Sequence, residues 1–260
     1  MQSWGVIKFN SRSAALLGPV QTLTPGAGIY IAPAVVFNGS TYLTRGADWT
    51  GVADGKQGIV SFWVKKTGGD GAAKVIYNDQ SLSEIQFSSG NKIRVDFYNS
   101  AVGQVFRYDT TTSVTTASGW VHVLASWNAT TTTFQMYLND ASDQTTISAI
   151  VNDTIDYSRT NHTFGARDAS ASNVITAEIA DFYFNQSTSL DLSSSANRRL
   201  FISSSLKPVY LGPTGSIPTG AQPLIFLTGN AAAFSTNSGS GGGMTVSAGS
   251  LSNAATSPSS

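Results

Sequence analysis

The chain contains no cysteine, two histidines and two glutamates, and charged residues make up only 12% of its 260 positions. Without cysteine there can be no disulfide, no thiolate metal site and no cysteine nucleophile. The same absence is expected of a chain assembled in a reducing cytoplasm. Fifteen basic and fifteen acidic residues cancel to a net charge of zero. Lys65-Lys66 and Arg198-Arg199 are the densest basic spots, so the clustered cations that hold a phosphate backbone or an anionic membrane surface are missing, and neither nucleic acid nor membrane is an expected partner. The first twenty residues carry only a short apolar run, broken by Gly18 and Pro19, so no signal peptide is expected. No window approaches 18 consecutive apolar residues. His122 and His162 stand alone, without a second histidine at zinc-ligand spacing. Glu84 and Glu178 are the two glutamates, and Glu178 and Asp181 in "EIADF" sit at an odd spacing that sends them to opposite faces of a strand. The carboxylate pair of a glycoside hydrolase is therefore not expected, nor is any other catalytic residue.

What replaces charge is hydroxyl: serine and threonine together supply roughly a quarter of the chain, well above ordinary globular usage. Hydrophobic residues reach 41%, enough for a core. From Val35 to Leu190, short β-type runs alternate with polar turns. "GIVSFWVKK" (Gly58 to Lys66) places Val60, Phe62 and Val64 on one face. "GWVHVLASWNATTTTFQMYLND" (Gly119 to Asp140) reads as a hairpin, with Val121, Val123, Ala125 and Trp127 sharing one face and Phe134, Met136 and Leu138 sharing another. Regular strand-and-turn spacing points to a sandwich rather than to βαβ units.

Three regions are expected. Residues 1–33, broken by prolines and glycines, form an extended N-terminal arm. Residues 34–190 form the sandwich. Residues 191–260 are mostly irregular, with a short helix at 193–202, strands at 223–229 and 244–249, and a Ser/Gly-rich end whose composition reads as a flexible tail, loosest at Gly241 to Gly243.

The order "FNGSTYL" (37–43), "SFWVK" (61–65), "GWVHVLASW…FQMYLND" and "TFGARD…AEIADFYFNQSTSL" (163–190) resembles the laminin-G-like domains of the concanavalin A-like lectin/glucanase superfamily, over about residues 35 to 190. The stretch "ANRRLFISSSLKPVYLGPTGSIPTGAQPLIFLTGNAAAF" and the Thr-Ser-Pro-Ser ending resemble the C-terminal part of laminin-G-like proteins from tailed-bacteriophage structural gene clusters. The resemblance implies an all-β, antiparallel jelly-roll sandwich and an ordered 191–250 segment. It further implies a non-enzymatic virion protein, either a capsid decoration or head fibre or a tail-associated protein. Other virion proteins would be its partners, together with further copies of itself, and surface glycans would be its ligands. A lectin module acting as a receptor-binding tail fibre is the alternative.

Two candidate sites follow. Calcium is bound at the sandwich rim of many laminin-G-like domains. The loop carboxylates Asp140, Asp143 and Asp168 are the candidate ligands here, against the competing reading that aspartate simply favours turns. No other cofactor is required. Where the family pattern closes a strand with Asp-Gly, this chain has Asn139-Asp140-Ala141, and the turn is expected to differ. For glycan stacking, the loop aromatics Trp49, Tyr108 and Tyr157 are the candidates, weighed against a place in the core.

Overall fold

The computed structural model describes residues 30–79 and 82–260. The expected arm, residues 1–33, lies almost entirely outside them. In chain order the strands are β1 (Val35–Asn38), β2 (Tyr42–Arg45), β3 (Gln57–Lys66), β4 (Lys74–Asp79), β5 (Ser83–Phe87), β6 (Ile93–Tyr98), β7 (Gln104–Asp109), β8 (Trp120–Asn128), β9 (Thr133–Leu138), β10 (Ala141–Ser142), β11 (Thr145–Ser148), β12 (His162–Phe164), β13 (Thr176–Asn185), β14 (Ile225–Leu227), β15 (Thr245–Ala248) and β16 (Ser252–Asn253). A single turn of helix, α1 (Ser195–Arg198), follows β13.

The strands form two antiparallel sheets of eight. Sheet A runs β10-β9-β8-β3-β13-β1-β16, with β14 also paired to β13; sheet B runs β11-β7-β6-β5-β4-β12-β2-β15. The Gly119–Asp140 hairpin pairs as its alternation requires, β8 against β9 with Trp127 opposite Phe134 and Ala125 opposite Met136. On the other side β3 lies against β8 with Val64, Phe62 and Val60 opposite Val121, Val123 and Ala125. These inward rows meet Ile85, Phe87, Ile93, Val95, Phe97, Phe106 and Tyr108 of sheet B in one core. Aromatic contacts dominate its centre: Trp127 lies 5.1 Å from Phe97 and 5.4 Å from Phe106, and Tyr108 stacks on Phe134 at 3.9 Å. Each such pair adds about 0.5–1.5 kcal/mol beyond the area it buries. Gly58 makes room for this cluster, since a Cβ there would stand 2.3 Å from the Trp127 ring.

The turn that lacks the family's glycine keeps left-handed geometry all the same. Asn139 and Asp140 have φ of 48° and 68°, and they close a two-residue hairpin in which Ala141 pairs with Leu138. Asn and Asp tolerate this region because their short side chains bond locally. The outer edge of β9 beyond that hairpin is closed by a side chain: the Gln144 amide accepts from Met136 N–H at 2.7 Å and donates to the Phe134 carbonyl at 3.2 Å. An open strand edge is thereby blocked.

The C-terminal segment is a third layer. Leu192, Phe201, Leu211 and Phe226 pack with Ile59, Leu124 and Tyr183 on the outer face of sheet A. Ile202 joins Trp63, Ala180, Ala32 and Ala34 there. The expected 193–202 helix is shortened to α1, and the expected 223–229 and 244–249 strands run as β14 and β15. The flexible-tail reading of the glycine-rich stretch is overturned. Gly241 accepts a backbone bond from Thr50 at 2.9 Å, and a Cβ on it would meet Trp49 and the Leu224 carbonyl at 2.8 Å. Those glycines permit close backbone approach rather than motion.

Candidate functional site

The two sheets treat their outer faces differently. Strands β3 and β8 are buried on both sides, and the outer side, where Ile59, Trp63 and Leu124 alternate with Ser61 and His122, is sealed by the C-terminal layer. Strands β5, β6 and β7 alternate apolar residues with Glu84, Gln86, Arg94, Asp96, Arg107 and Asp109, which point away from the core. Sheet B therefore presents a polar outer face.

Cross-strand register organises that face into ion pairs. Arg94 faces Asp109 and Asp96 faces Arg107 across β6 and β7. Arg94 Nε lies 2.8 Å from Asp109, and Arg107 Nη2 lies 2.5 Å from Asp96. Glu84 stands opposite Asp96 across β5 and β6. Two acids directly opposed disfavour each other's charge. Arg167, from the loop after β12, reaches over to Glu84 at 3.1 Å. Burial pushes the Glu84 and Asp96 carboxyls above the ordinary range, against the pull of Arg167 and Arg107 respectively.

A cleft of about 370 Å³ opens where this face meets the strand ends. Thr44 and Arg45 of β2, Gly46, and Asn161, His162 and Thr163 at β12 line one side; Arg167, Asp168 and Ala169 line the other. The 167–172 loop holds its shape through Asp168, whose carboxylate accepts from the Ser170 and Ser172 amides at 2.9 and 3.2 Å and from the Ser172 hydroxyl at 2.5 Å. The Ser172 hydroxyl bond leads in holding the Asp168 carboxyl below its usual value. Arg45 donates to the carbonyls of Asp48 and Gly243 and lies 5.2 Å over Trp49.

His162 ends a chain of hydrogen bonds. Trp49 Nε1 can only donate, and it does so to Tyr77 Oη at 3.3 Å. Tyr77 Oη in turn lies 3.0 Å from His162 Nδ1, in hydrogen-bond contact. His162 Nε2 lies 4.0 Å from Asp48 Oδ1. Burial, helped by Arg45, pushes the His162 pKa down to about 3.

The structure scatters the residues singled out from sequence. Asp140 is gripped by Arg198 Nε at 2.6 Å and Arg199 Nη2 at 2.5 Å, with the Arg199 bond leading in lowering its pKa. Asp143 accepts from Thr111 and Thr112, bonds that outweigh burial and hold its carboxyl low. Asp168 stiffens its own loop. Among the described residues no group of three or more His, Cys, Asp or Glu side chains is placed to hold a metal ion. The expectation that Trp49, Tyr108 and Tyr157 offer ring faces to a ligand is corrected: they are 2%, 6% and 3% exposed. The loops of Trp49 and Tyr157 dip into the sandwich, where Trp49 bonds Tyr77 and Tyr157 takes the Trp127 Nε1–H at 2.8 Å, while Tyr108 lies not on a loop but on the inward side of β7, stacked on Phe134. Glu178 is tied to Lys65 at 3.3 Å. A register shift between Ala180 and Tyr183 breaks the expected parity of "EIADF" and turns Asp181 toward Tyr30 and Thr228. Of all the candidates only Asp168 lines the cleft. Arg45, Arg167 and Gln86 are not among the candidates read from sequence, although polar residues alternating along "EIQF", "IRVDFY" and "QVFRYD" mark a face that no apolar layer covers among the described residues.

Two antiparallel sheets, one sealed and one open and polar, define a lectin-like β-sandwich. Residues 37–189 match the Laminin_G_3 family of the concanavalin A-like lectin/glucanases superfamily, and the chain belongs to that family. No curated protein matches the chain in sequence. Among solved structures it resembles a Bacteroides ovatus protein whose carbohydrate binding is inferred, with a TM-score of 0.62 at 7% identity over 88% of this chain. The chain spans 62% of that protein's length. Likeness to the SAP-like pentraxin of Limulus polyphemus (TM-score 0.44, 12% identity, 62% of this chain and 78% of that one) and to domains LG4-5 of the mouse laminin alpha1 chain (0.44, 14%, 64% and 44%) is weaker.

Proposed function

We propose that the chain is a non-catalytic glycan-recognition domain whose ligand lies on the outer face of sheet B, entering the cleft between the β2/β12 ends and the Arg167 loop. The polar outer face of sheet B carries this reading. Among the described residues the outer face of sheet A is used for packing, whereas this one holds guanidinium, carboxylate and amide groups beside a cleft of oligosaccharide-unit size. Hydrogen-bond recognition of this kind needs no cofactor. Glu84 and Glu178 are each committed to a cation, which favours binding over hydrolysis. Binding to a glycan array, lost on Arg167→Ala with the fold intact, tests the reading; a blank array at high protein concentration overturns it.

The setting we propose is the virion of a tailed bacteriophage, with other virion proteins or further copies of the chain as partners. The resemblance of the segment after residue 190 supports it, and so does the packing of that segment as a layer continuous with the sandwich. Mass spectrometry of purified particles should find the protein in stoichiometric copies; its absence would contradict the proposal.

A further inference from the structure

Three linked side chains beside the cleft keep hydrogen-bonding capacity to spare. Gln86 directs its Nε2–H to Glu84 Oε1, an orientation set by the acceptor-only carboxylate. Arg167 donates to the same Oε1 at 3.2 Å. Once these bonds are made, Gln86 Oε1, Glu84 Oε2 and Arg167 Nε have no hydrogen-bond partner among the described residues. Arg167 Nη2 lies 3.1 Å from Glu84 Oε2, close enough for an ion pair but outside a hydrogen-bonding angle. Gln86 and Glu84 are buried, and the Arg167 side chain, 34% exposed, is the member that meets the cleft.

The spare set is two acceptors and one donor. A carboxylate, sulfate or phosphate on the ligand can only accept. It would satisfy Arg167 Nε alone and set its charge against Glu84 and the opposed Asp96. The remaining guanidiniums on the face have no charge to offer an anion, because Arg94 and Arg107 are matched by Asp109 and Asp96. Arg45 directs its N–H groups to backbone carbonyls. An ammonium can only donate, and it would meet the Arg167 charge. A hydroxyl donates and accepts, and two adjacent hydroxyls match the set.

We infer that the cleft selects neutral sugars with adjacent free hydroxyls over acidic and amino sugars, with Arg167, Glu84 and Gln86 as the selecting residues. The inference rests on the glycan reading above. Arg167, which lines the cleft, is the member a ligand meets first, and Glu84 and Gln86 lie behind it.

The test is a direct binding assay of the full chain against four panels of equal length: neutral hexose, uronate-containing, sialylated and amino-sugar oligosaccharides. The expected result is binding confined to the neutral panel, with an affinity that changes less than about twofold between about 0.05 and 0.5 M NaCl. Arg167→Lys keeps the charge and loses the Nε donor, and it should weaken binding about tenfold. Gln86→Leu, which leaves every charge in place, should weaken it by a similar factor, and unchanged melting temperatures show that both variants fold. Preferential, salt-sensitive binding of the uronate or sialylated panel, or preference for amino sugars, overturns the selectivity while the glycan reading stands. Neutral binding that neither variant alters overturns the assignment to these residues. No binding in any panel overturns both.

Discussion

Asp181 should be worth more to this protein as asparagine. It sits at the register shift in β13 with a left-handed φ of 48°, buried, and its carboxylate accepts from the Tyr30 hydroxyl at 3.0 and 3.1 Å and the Thr228 hydroxyl at 2.6 Å. Among the described residues no cation faces it, and Tyr210, packed against Tyr30 at 5.3 Å, adds another phenol. Burial pushes its pKa up to about 6 from 3.8, partly offset by the Thr228 and Tyr30 hydroxyls. A carboxyl whose folded pKa exceeds its unfolded one keeps its proton longer in the folded state. Its charge therefore destabilises the fold increasingly as pH rises through about 4 to 6, and fully above that. At 1.36 kcal/mol per unit the cost at neutral pH is about 3 kcal/mol. Asp181→Asn removes the charge, tolerates the backbone, and can accept from Thr228 while donating to the Tyr30 oxygen. Denaturant unfolding should show the variant more stable by up to about 3 kcal/mol at about pH 7.5, a rise of roughly 6–12 °C in Tm, and nearly equal to the parent at about pH 3.5. A variant that is less stable at neutral pH, or a difference that does not vary with pH, would refute the reasoning.

Gly58→Ala should destabilise by about 1–3 kcal/mol or more in chemical denaturation, because its Cβ meets the Trp127 ring. Trp49→Ala and Tyr108→Ala should each cost about 3–5 kcal/mol in the same measurement, as core truncations do; a loss of glycan affinity with unchanged stability would restore them as ligand platforms. Gln144→Ala should cost about 1–2 kcal/mol and speed aggregation in light scattering, since it bares the Met136 N–H and Phe134 carbonyl on an edge strand. Asp140→Ala should loosen the Arg198–Arg199 turn, seen as faster amide exchange around α1, and calcium should not reproduce or reverse that change.

Alternation made the sandwich legible. The alternation in "GIVSFWVKK" and in the Gly119–Asp140 hairpin predicts the inward rows of β3, β8 and β9, and each residue stands where its parity puts it. The cleft was hidden for two physical reasons. It joins residues 44–46 to 161–169, a juxtaposition that strand pairing of β2 with β12 creates and local pattern does not contain. And a loop position does not ensure exposure: Trp49 and Tyr157 are pulled inward by buried hydrogen-bond partners. Asn139-Asp140 misled in the other direction: glycine is not required for φ > 0 when the side chain is Asn or Asp. The covered face was present in the sequence as strands carrying apolar residues on both sides, and the open one as strands charged on alternate positions.

The central claim is that the ligand face is the outer side of sheet B. Titration of the isotope-labelled protein with a bound neutral oligosaccharide, followed by amide chemical shifts, tests it most directly. Perturbations should fall on β5, on the β2 and β12 ends and on residues 165–174. Perturbations centred on the C-terminal layer over sheet A would contradict it.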